Sequence, residues 1–145
     1  MEVVDRSMLA PYGADRMYAL VDDVESYPQF LPWCERTQVS LREPGRTVAT
    51  IHANFHGLRQ QFTTENTNRP GEHIDIALVS GPFRTLRGHW HFTPLGGDGC
   101  RVEFRLEYQF ASRVLEKLAG PVFHRIADSF VDAFVRRAEQ RLGRR

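Results

Sequence analysis

The sequence predicts an α+β fold in which an antiparallel sheet packs against a long C-terminal helix. Runs of alternating apolar and polar residues lie between residues 37 and 110, and glycine-rich turns separate them. A pattern with helical spacing then follows over residues 112–142. Consecutive strands joined by short turns indicate an antiparallel meander, and a sheet with one apolar face needs a second layer to cover that face.

The N-terminal part predicts a strand, a helix and a proline-bounded loop. Residues 3–9 form a plausible strand, which Pro11 ends. Residues 14–24 place apolar side chains at three- and four-residue intervals, the spacing of one face of a helix. Two prolines interrupt residues 26–33, so at most one short helical turn is expected there.

The strand with the clearest alternation is the last one, over residues 100–110. Its apolar side chains point to one face and its charged or polar side chains to the other, as in a sheet with one buried and one wet face. Three earlier runs repeat this pattern. Their apolar members are Ala49, Ile51, Ala53 and Phe55; Ile74, Ile76 and Leu78; and Leu86, Trp90 and Phe92, with Gly88 as a gap.

The C-terminal segment carries a wide apolar stripe at helical spacing. Gly120 and Pro121 are expected to kink this helix or to separate its first turns, because proline removes a backbone donor and clashes with the preceding turn. The stripe consists of Leu115, Leu118, Val122, Phe123, Ile126, Phe130, Phe134 and Ala138. Five arginines crowd the end of the segment: Arg136, Arg137, Arg141, Arg144 and Arg145.

Length and composition fit a single domain over residues 1–145. A chain of 145 residues with 41% hydrophobic residues can bury a core without cross-links. The net charge of +1 argues against binding nucleic acid through bulk charge and leaves only local basic patches. Cys34 and Cys100 are too few for a disulfide framework or a zinc motif, so both are expected to be free thiols in a reducing compartment.

The sequence favours a cytoplasmic protein. No stretch approaches the roughly 18 consecutive apolar residues of a membrane span, and the acidic N-terminus has no apolar signal region. The stretch of residues 27–33 concentrates Tyr27, Phe30, Leu31 and Trp33. Such a loop either packs onto the protein or contacts a ligand or a bilayer, which leaves peripheral contact with the inner membrane open.

The positions of the acidic and histidine side chains argue against an enzyme and against a metal site. Both carboxylates of residues 100–110 lie on the polar face, and His89 and His91 lie opposite Trp90 and Phe92. A general acid or base must reach its substrate. Two histidines that share a strand face need a third ligand and supporting hydrogen bonds to hold a metal. We therefore predict no catalytic residue and no metal ligand.

Several motifs resemble those of one known family. The matching segments are residues 11–14, 17–18, 23–34, 81–84, 88–92 and 100–104, followed by the phenylalanine-rich final helix. Their Tyr-Pro-x-Phe-x-Pro and Gly-Pro-Phe motifs make the sequence similar to the coenzyme Q-binding and RatA-type START-like family. The resemblance implies a helix-grip (Bet v 1-like) fold: an antiparallel sheet wrapped around the C-terminal helix, a short N-terminal helical segment, and a cavity between sheet and helix.

The resemblance implies two functions and no catalytic machinery. One is binding of ubiquinone or another polyprenyl quinone, as a chaperone or carrier that supports respiration. The other is a toxin, paired with a small antitoxin protein, that binds the large ribosomal subunit and blocks subunit association. Residues 31–34 look more like the quinone-binding members, with Trp33 the informative residue, whereas the whole motif set is close to the RatA-type proteins. A cyclase-like enzyme is a less favoured alternative.

A quinone has a flat ring that accepts hydrogen bonds and an apolar tail, so aromatic walls with a few donors suit it. Gln60 and the hydroxyls of Tyr27 and Tyr108 are candidate donors. No cofactor is expected beyond a ubiquinone-like ligand. The predicted ligand contacts are Tyr27, Phe30, Leu31, Trp33, Gln60, Phe62, Phe83, Trp90, Phe92, Phe104, Tyr108, Phe123, Ile126 and Phe130.

The ribosome interpretation depends on the arginines at the C-terminal end, with Arg84 and Arg87 as further candidates. A cluster of cations contacts RNA phosphates or anionic lipid. Cations are also favoured at the end of any helix by its dipole. From the sequence we expect non-enzymatic quinone binding, with ribosome association as the principal alternative.

Overall fold

A computed structural model describes residues 1–143 and contains one seven-stranded antiparallel sheet. The predicted α+β class and the antiparallel meander are confirmed. The strands run in the order β1-β7-β6-β5-β4-β3-β2, so β1 and β2 form the two edges. Their bounds are Glu2–Ala10 (β1), Cys34–Glu43 (β2), Arg46–Phe55 (β3), Leu58–Arg69 (β4), His73–Ser80 (β5), Phe83–Pro94 (β6) and Cys100–Phe110 (β7).

The alternation predicted for β7 is present in the structure. Its even-numbered residues from Cys100 to Phe110 are buried, and the residues between them are half-buried or exposed. In the register with β6, Trp90 pairs with Phe104 and Gly88 pairs with Leu106. The apolar face of the sheet is therefore continuous across neighbouring strands and needs the helices as a cover.

The N-terminal helix is shorter than the sequence predicts. Helix α1 spans Ala14–Asp22, and a separate 3-10 helix spans Val24–Gln29. The chain leaves the α-helical conformation at Asp23, whose ψ is 68°, while its N–H still donates to the carbonyl of Ala19. The short helical turn expected near the two prolines is this 3-10 helix, which packs against β2.

The C-terminal segment forms two helices, α2 (Arg113–Asp128) and α3 (Phe130–Leu142). The break lies at Ser129, and α2 continues through Gly120 and Pro121, so the predicted separation of the first turns there is wrong, whereas a kink at Pro121 stays a prediction. Proline has no backbone N–H, so the carbonyl one turn before Pro121 lacks its helical donor. Pro121 is exposed, and water can donate to that carbonyl on the solvent side of the helix. At the break, the Ser129 hydroxyl donates to the carbonyl of Ile126 at 3.0 Å and competes with the helical ladder.

Aromatic side chains fill most of the layer between the sheet and the helices. The ring centroid of Trp90 lies 4.5 Å from that of Phe104 and 5.3 Å from that of Phe134. At the other end of the layer, the ring of Phe123 lies 5.0 Å from that of Phe83. Edge-to-face and tilted ring pairs at these distances stabilise a packed core. None of the helices within residues 1–143 is both long and apolar enough to span a bilayer.

An ion pair joins the edge strand β1 to the end of α2. Arg6 Nε lies 2.6 Å from Asp128 Oδ1, and Arg6 Nη2 lies 2.7 Å from Oδ2. The hydrogen bonds and charge of Arg6 hold the pKa of the Asp128 carboxyl below its ordinary value. A lowered folded-state pKa contributes stability above the unfolded pKa, and this stability disappears as the pH falls through the folded pKa.

Replacing Arg6 with alanine is therefore expected to give a pH-dependent loss of stability. The difference in unfolding free energy from the wild type should be present near pH 7 and should shrink below about pH 4, where the aspartate protonates. Urea unfolding across this pH range measures it. The control is Arg16→Ala, which removes an exposed arginine with no ion pair among residues 1–143. A pH-independent difference for Arg6→Ala would contradict the prediction.

Candidate functional site

A cavity of about 70 Å³ lies between the sheet and the helices. Its walls are mainly aromatic and aliphatic, contributed by the 3-10 helix, by strands β3 to β7 and by both C-terminal helices. The structure brings about half of the predicted ligand contacts together on these walls. They are Tyr27, Trp33, Phe62, Trp90, Phe104, Phe123 and Phe130.

The cavity is too small for a quinone as it stands. A water molecule occupies about 30 Å³ of liquid, and sites for drug-sized ligands occupy about 300–1,000 Å³. The indole ring of Trp33 stacks on the ring of Phe130 with centroids 5.5 Å apart and fills space that a ligand would need. A larger ligand would therefore require Trp33, Phe130 or the 3-10 helix to move outward.

The expected gap at Gly88 is filled by its neighbours. A Cβ atom at this position would lie 3.3 Å from Ile76 Cδ1 and 3.3 Å from Leu106 Cδ1. Branched side chains from the two adjacent strands therefore close over the glycine. Gly88 contributes close packing to the sheet instead of cavity volume.

Two polar residues on the cavity wall were missed by the sequence analysis, Thr64 and Asn66 on β4. The Thr64 hydroxyl donates to Asn66 Oδ1 at 3.2 Å. Both residues share strand parity with Phe62, and that parity was the signal that could have identified them. Gln60 has the same parity, but it lies near the start of β4 and lines a separate surface depression with Glu35.

The remaining predicted contacts do not line the cavity. Ring packing explains two of them: Phe83 packs among Phe62, Phe110 and Phe123, and Phe92 packs against Tyr18. The predicted contacts outside the cavity wall are Phe30, Leu31, Gln60, Phe83, Phe92, Tyr108 and Ile126.

The stretch of residues 27–33 packs onto the protein. Leu31 is buried, and the ring of Phe30 lies 5.2 Å from that of Phe134. The Tyr27 hydroxyl donates to the carbonyl of Val21, and burial raises the pKa of this phenol. Of the two outcomes that the sequence left open, the structure has the packed one, and this stretch presents no broad apolar surface.

A larger, open groove of about 600 Å³ lies on the other side of α2, next to the start of β1. The buried Tyr108 reaches this groove, where its hydroxyl lies 3.1 Å from His124 Nδ1. Burial, together with the charges of Glu2 and Glu116, raises the pKa of Tyr108 to about 12. The phenol therefore stays protonated near neutral pH, which suits a structural hydrogen bond and not a base or a nucleophile.

The two strand histidines lie on the outer face of the sheet, as their parity predicts. His89 Nδ1 contacts the carboxylate of Asp75, and His91 Nδ1 lies 3.6 Å from Glu103 Oε2. Both side chains are about half exposed. Within residues 1–143, no group of three or more histidine, cysteine, aspartate or glutamate side chains is placed to hold a metal ion.

Among the C-terminal arginines that the structure describes, Arg136 and Arg137 are engaged within the protein. Arg137 Nη2 donates to Gln29 Oε1 at 2.6 Å, and its guanidinium lies 4.9 Å from the ring centroid of Phe30. Arg136 Nε lies 3.0 Å from Asp132 Oδ2, one helical turn earlier. These contacts make the two arginines poorer candidates for binding an external anion than their positions in the sequence indicate.

The other arginines proposed from the sequence to bind an anion differ in their exposure and in whether the structure describes them. Arg141 is exposed in the last turn of α3, where the helix dipole favours a cation. Arg144 and Arg145 lie outside the described residues. Arg84 and Arg87 are exposed on β6.

Both cysteines are free and buried. Burial raises the pKa of the Cys34 thiol to about 11 and also raises the pKa of Cys100. The thiolate is the reactive form, so neither thiol should react with Ellman's reagent in the native protein at about pH 8, and both should react in guanidinium chloride. Cys34→Ser separates the two signals. Rapid labelling of one thiol in the native protein would show that its side chain is accessible.

The sequence relatives fall into the two groups that the resemblance indicates. The family model described as polyketide cyclase/dehydrase and lipid transport matches residues 10–135. Ribosome association toxin RatA from Vibrio cholerae is 43% identical over 143 residues, which cover 99% of each chain. The mitochondrial coenzyme Q-binding protein COQ10 homolog B from Xenopus laevis is 29% identical over 142 residues, which cover 95% of this chain and 58% of that protein.

Solved structures share the architecture. The Zhui aromatase/cyclase from Streptomyces sp. R1128 superposes with a TM-score of 0.83 at 18% identity, covering 97% of this chain and 95% of that one. A START superfamily protein from Mycobacterium smegmatis gives 0.77 at 23% identity, covering 95% and 97%. At these identities the likeness concerns the fold alone. The superpositions show the helix-grip fold, and the match of the family model to residues 10–135 shows that the chain belongs to the START-like family of polyketide cyclases, dehydrases and lipid-transport proteins.

Proposed function

We propose that this chain is a non-enzymatic ribosome association factor, a toxin that binds the large ribosomal subunit and opposes subunit association. The observation that carries the proposal is the 43% identity to a ribosome association toxin over 99% of both chains. Because the aligned residues cover 99% of both chains, the similarity extends over surface residues as well as core residues. The proposal reverses the order of the two functions favoured by the sequence motifs alone.

The size of the internal cavity supports this choice. A space of about 70 Å³ holds a few water molecules at most, whereas a quinone ring with even one isoprenoid unit is many times larger. A protein that acts through its surface needs only a rigid core, and the interlocking aromatic rings provide one. A cavity of this small size is therefore compatible with ribosome binding without any rearrangement.

The chemistry of the cavity wall supports a non-enzymatic function. Among the described residues, no carboxylate, histidine or cysteine lines the cavity. Its one phenol, Tyr27, donates to the Val21 carbonyl and has a raised pKa, so it is a poor acid or base near neutral pH. The cyclase neighbour shares the fold at only 18% identity, which carries no argument for a shared reaction.

Sucrose-gradient sedimentation tests the ribosome proposal. Expression of the chain in a bacterial host should move it into the large-subunit fractions and increase free subunits at the expense of assembled ribosomes. Co-expression of a small protein encoded beside it, if that protein is the antitoxin, should reverse the shift. A chain that stays at the top of the gradient and leaves the ribosome profile unchanged would refute the proposal.

Quinone binding is the second candidate, favoured by the polar pair Thr64 and Asn66 among aromatic walls and by the similarity to a coenzyme Q-binding protein. It requires the stacked Trp33 and Phe130 to separate. Solvent extraction of protein purified from quinone-producing cells should then yield about one quinone per chain, as expected for a single enclosed site. Thr64→Val should weaken uptake while preserving the fold. An empty protein that also fails to take up added quinone excludes this candidate.

A further inference from the structure

Helix α2 presents an outward face that combines cations with exposed apolar side chains. Arg113, Lys117 and Arg125 are all exposed. Val114 and Leu118, one turn apart, are 66% and 60% exposed, and this corrects the placement of Leu118 in the buried stripe. At about 1.5 Å per residue, the three cations span about 18 Å along the helix axis.

These three cations are free, unlike many of the other basic side chains. Within residues 1–143, Arg113, Lys117 and Arg125 form no ion pair and donate no side-chain hydrogen bond. By contrast, Arg6, Arg42, Arg46, Arg59, Arg69, Arg105 and Arg136 each pair with a carboxylate. A cation without an internal partner is available to an external anion.

The acidic residues of α2 do not neutralise this face. Asp128, the last residue of α2, accepts hydrogen bonds from Nε and Nη2 of Arg6. Glu116 lines the groove beside Tyr108 together with Arg125, but it forms no ion pair with a cation of α2 among the described residues. With a net charge of only +1 for the whole chain, a helix face with three unpaired cations is a local concentration of positive charge.

We propose that this outer face of α2 is the surface through which the chain contacts ribosomal RNA, an inference that rests on the ribosome function proposed above. Its cations match the spaced negative charges of a phosphate backbone. Val114 and Leu118 add exposed apolar surface beside these cations, which aliphatic side chains can use in van der Waals contact with bases. The proposed RNA surface is therefore on α2 and does not consist of the C-terminal arginines to which the sequence points.

An RNA fits this face better than a lipid bilayer does. A helix that lies in a membrane interface inserts a broad apolar face between the headgroups. The broad apolar face of α2, which includes Ala119, Phe123 and Ala127, is already buried in the core. Only two large aliphatic side chains remain outside, too few to anchor a helix in a bilayer.

Two matched triple variants test the surface. The first, Arg113→Gln with Lys117→Gln and Arg125→Gln, removes three exposed charges from α2. The second, Arg84→Gln with Arg87→Gln and Arg101→Gln, removes three exposed charges from strands β6 and β7. All six side chains are exposed, so both variants should fold, which circular dichroism and urea unfolding check.

The readout is the affinity for purified large ribosomal subunits as a function of salt concentration. For the α2 variant we expect affinity to fall by on the order of tenfold or more at about 0.1 M salt, and the slope of log affinity against log salt to fall by about three. The strand variant should stay within about twofold of the wild type, because its charges lie off the proposed contact.

Each alternative result has a separate meaning. If the wild type binds subunits and the α2 variant binds equally well, the surface is wrong and the ribosome function stands. If both variants lose affinity alike, the attraction is a general charge effect and the surface is again wrong. If the wild type does not bind subunits, the ribosome function fails and this inference fails with it. Charge-dependent binding of the α2 face to phosphatidylserine vesicles but not to subunits would assign the face to lipid.

Discussion

Replacing Trp90 with alanine is expected to lower the free energy of unfolding by about 3–5 kcal/mol, the range measured for large aromatic truncations in packed cores. Trp90 is 2% exposed. Its ring stacks parallel to that of Phe92 and lies close to those of Phe104 and Phe134. Removing the indole therefore loses contacts with the neighbouring strand and with α3 at once, and these neighbours are too constrained to close the space completely.

Urea unfolding monitored by circular dichroism measures this effect, since the variant lacks one of the two tryptophans that report by fluorescence. A domain typically has about 5–15 kcal/mol of stability in total, so the variant should be severely weakened or unfolded. Leu118→Ala is the matched truncation of an exposed side chain and should change stability by less than about 0.5 kcal/mol. A loss for Trp90→Ala below about 1 kcal/mol would mean that the interior is loosely packed and that a ligand-sized cavity forms readily.

The fold could be predicted because its signals are local. In β7 the side-chain alternation is regular over eleven residues, and the turn at Gly96–Gly99 separates it cleanly from β6. The break between α2 and α3 could not be predicted in the same way. Pro121 is a strong local signal, yet solvent accommodates it, whereas Ser129 carries a weak signal and interrupts the helix through its side-chain hydrogen bond.

The candidate site could be predicted only in part, because a cavity depends on contacts among strands that are distant in sequence. The parity of Phe62, Trp90 and Phe104 correctly places them inward. Parity alone does not show that Ile76 and Leu106 meet over Gly88, since that depends on the register of three strands. The internal volume is decided by such contacts.

The location of the proposed RNA-binding cations could not be predicted from the sequence either. The five C-terminal arginines form the strongest cluster of charge in the sequence, but a cluster says nothing about the internal partners of its members. Arg137 is held by Gln29, which lies 108 residues earlier in the chain. The cations of α2 do not form a cluster in the sequence, because four and eight positions separate them. The structure shows that they are exposed on one helix and form no ion pair among the described residues.

Replacing Gly81 with alanine is expected to destabilise the protein by about 3 kcal/mol or more, through backbone strain and a steric clash that add. Gly81 has a φ of +145°, a conformation that L-amino acids rarely adopt. A Cβ atom there would lie 2.5 Å from the Cβ and 3.0 Å from the Cα of Phe62. Rotation of the Phe62 side chain cannot relieve this contact, because the Cα and Cβ atoms do not move when the side chain rotates.

The Gly-Pro-Phe motif, through which the chain resembles its family, therefore has a structural explanation at its first residue. Gly96→Ala is the control, since a Cβ at Gly96 meets nothing within 4 Å and its φ is not positive. Urea unfolding should separate the two variants clearly. Equal stability would show that the backbone at Gly81 relaxes readily and that the motif is retained for another reason.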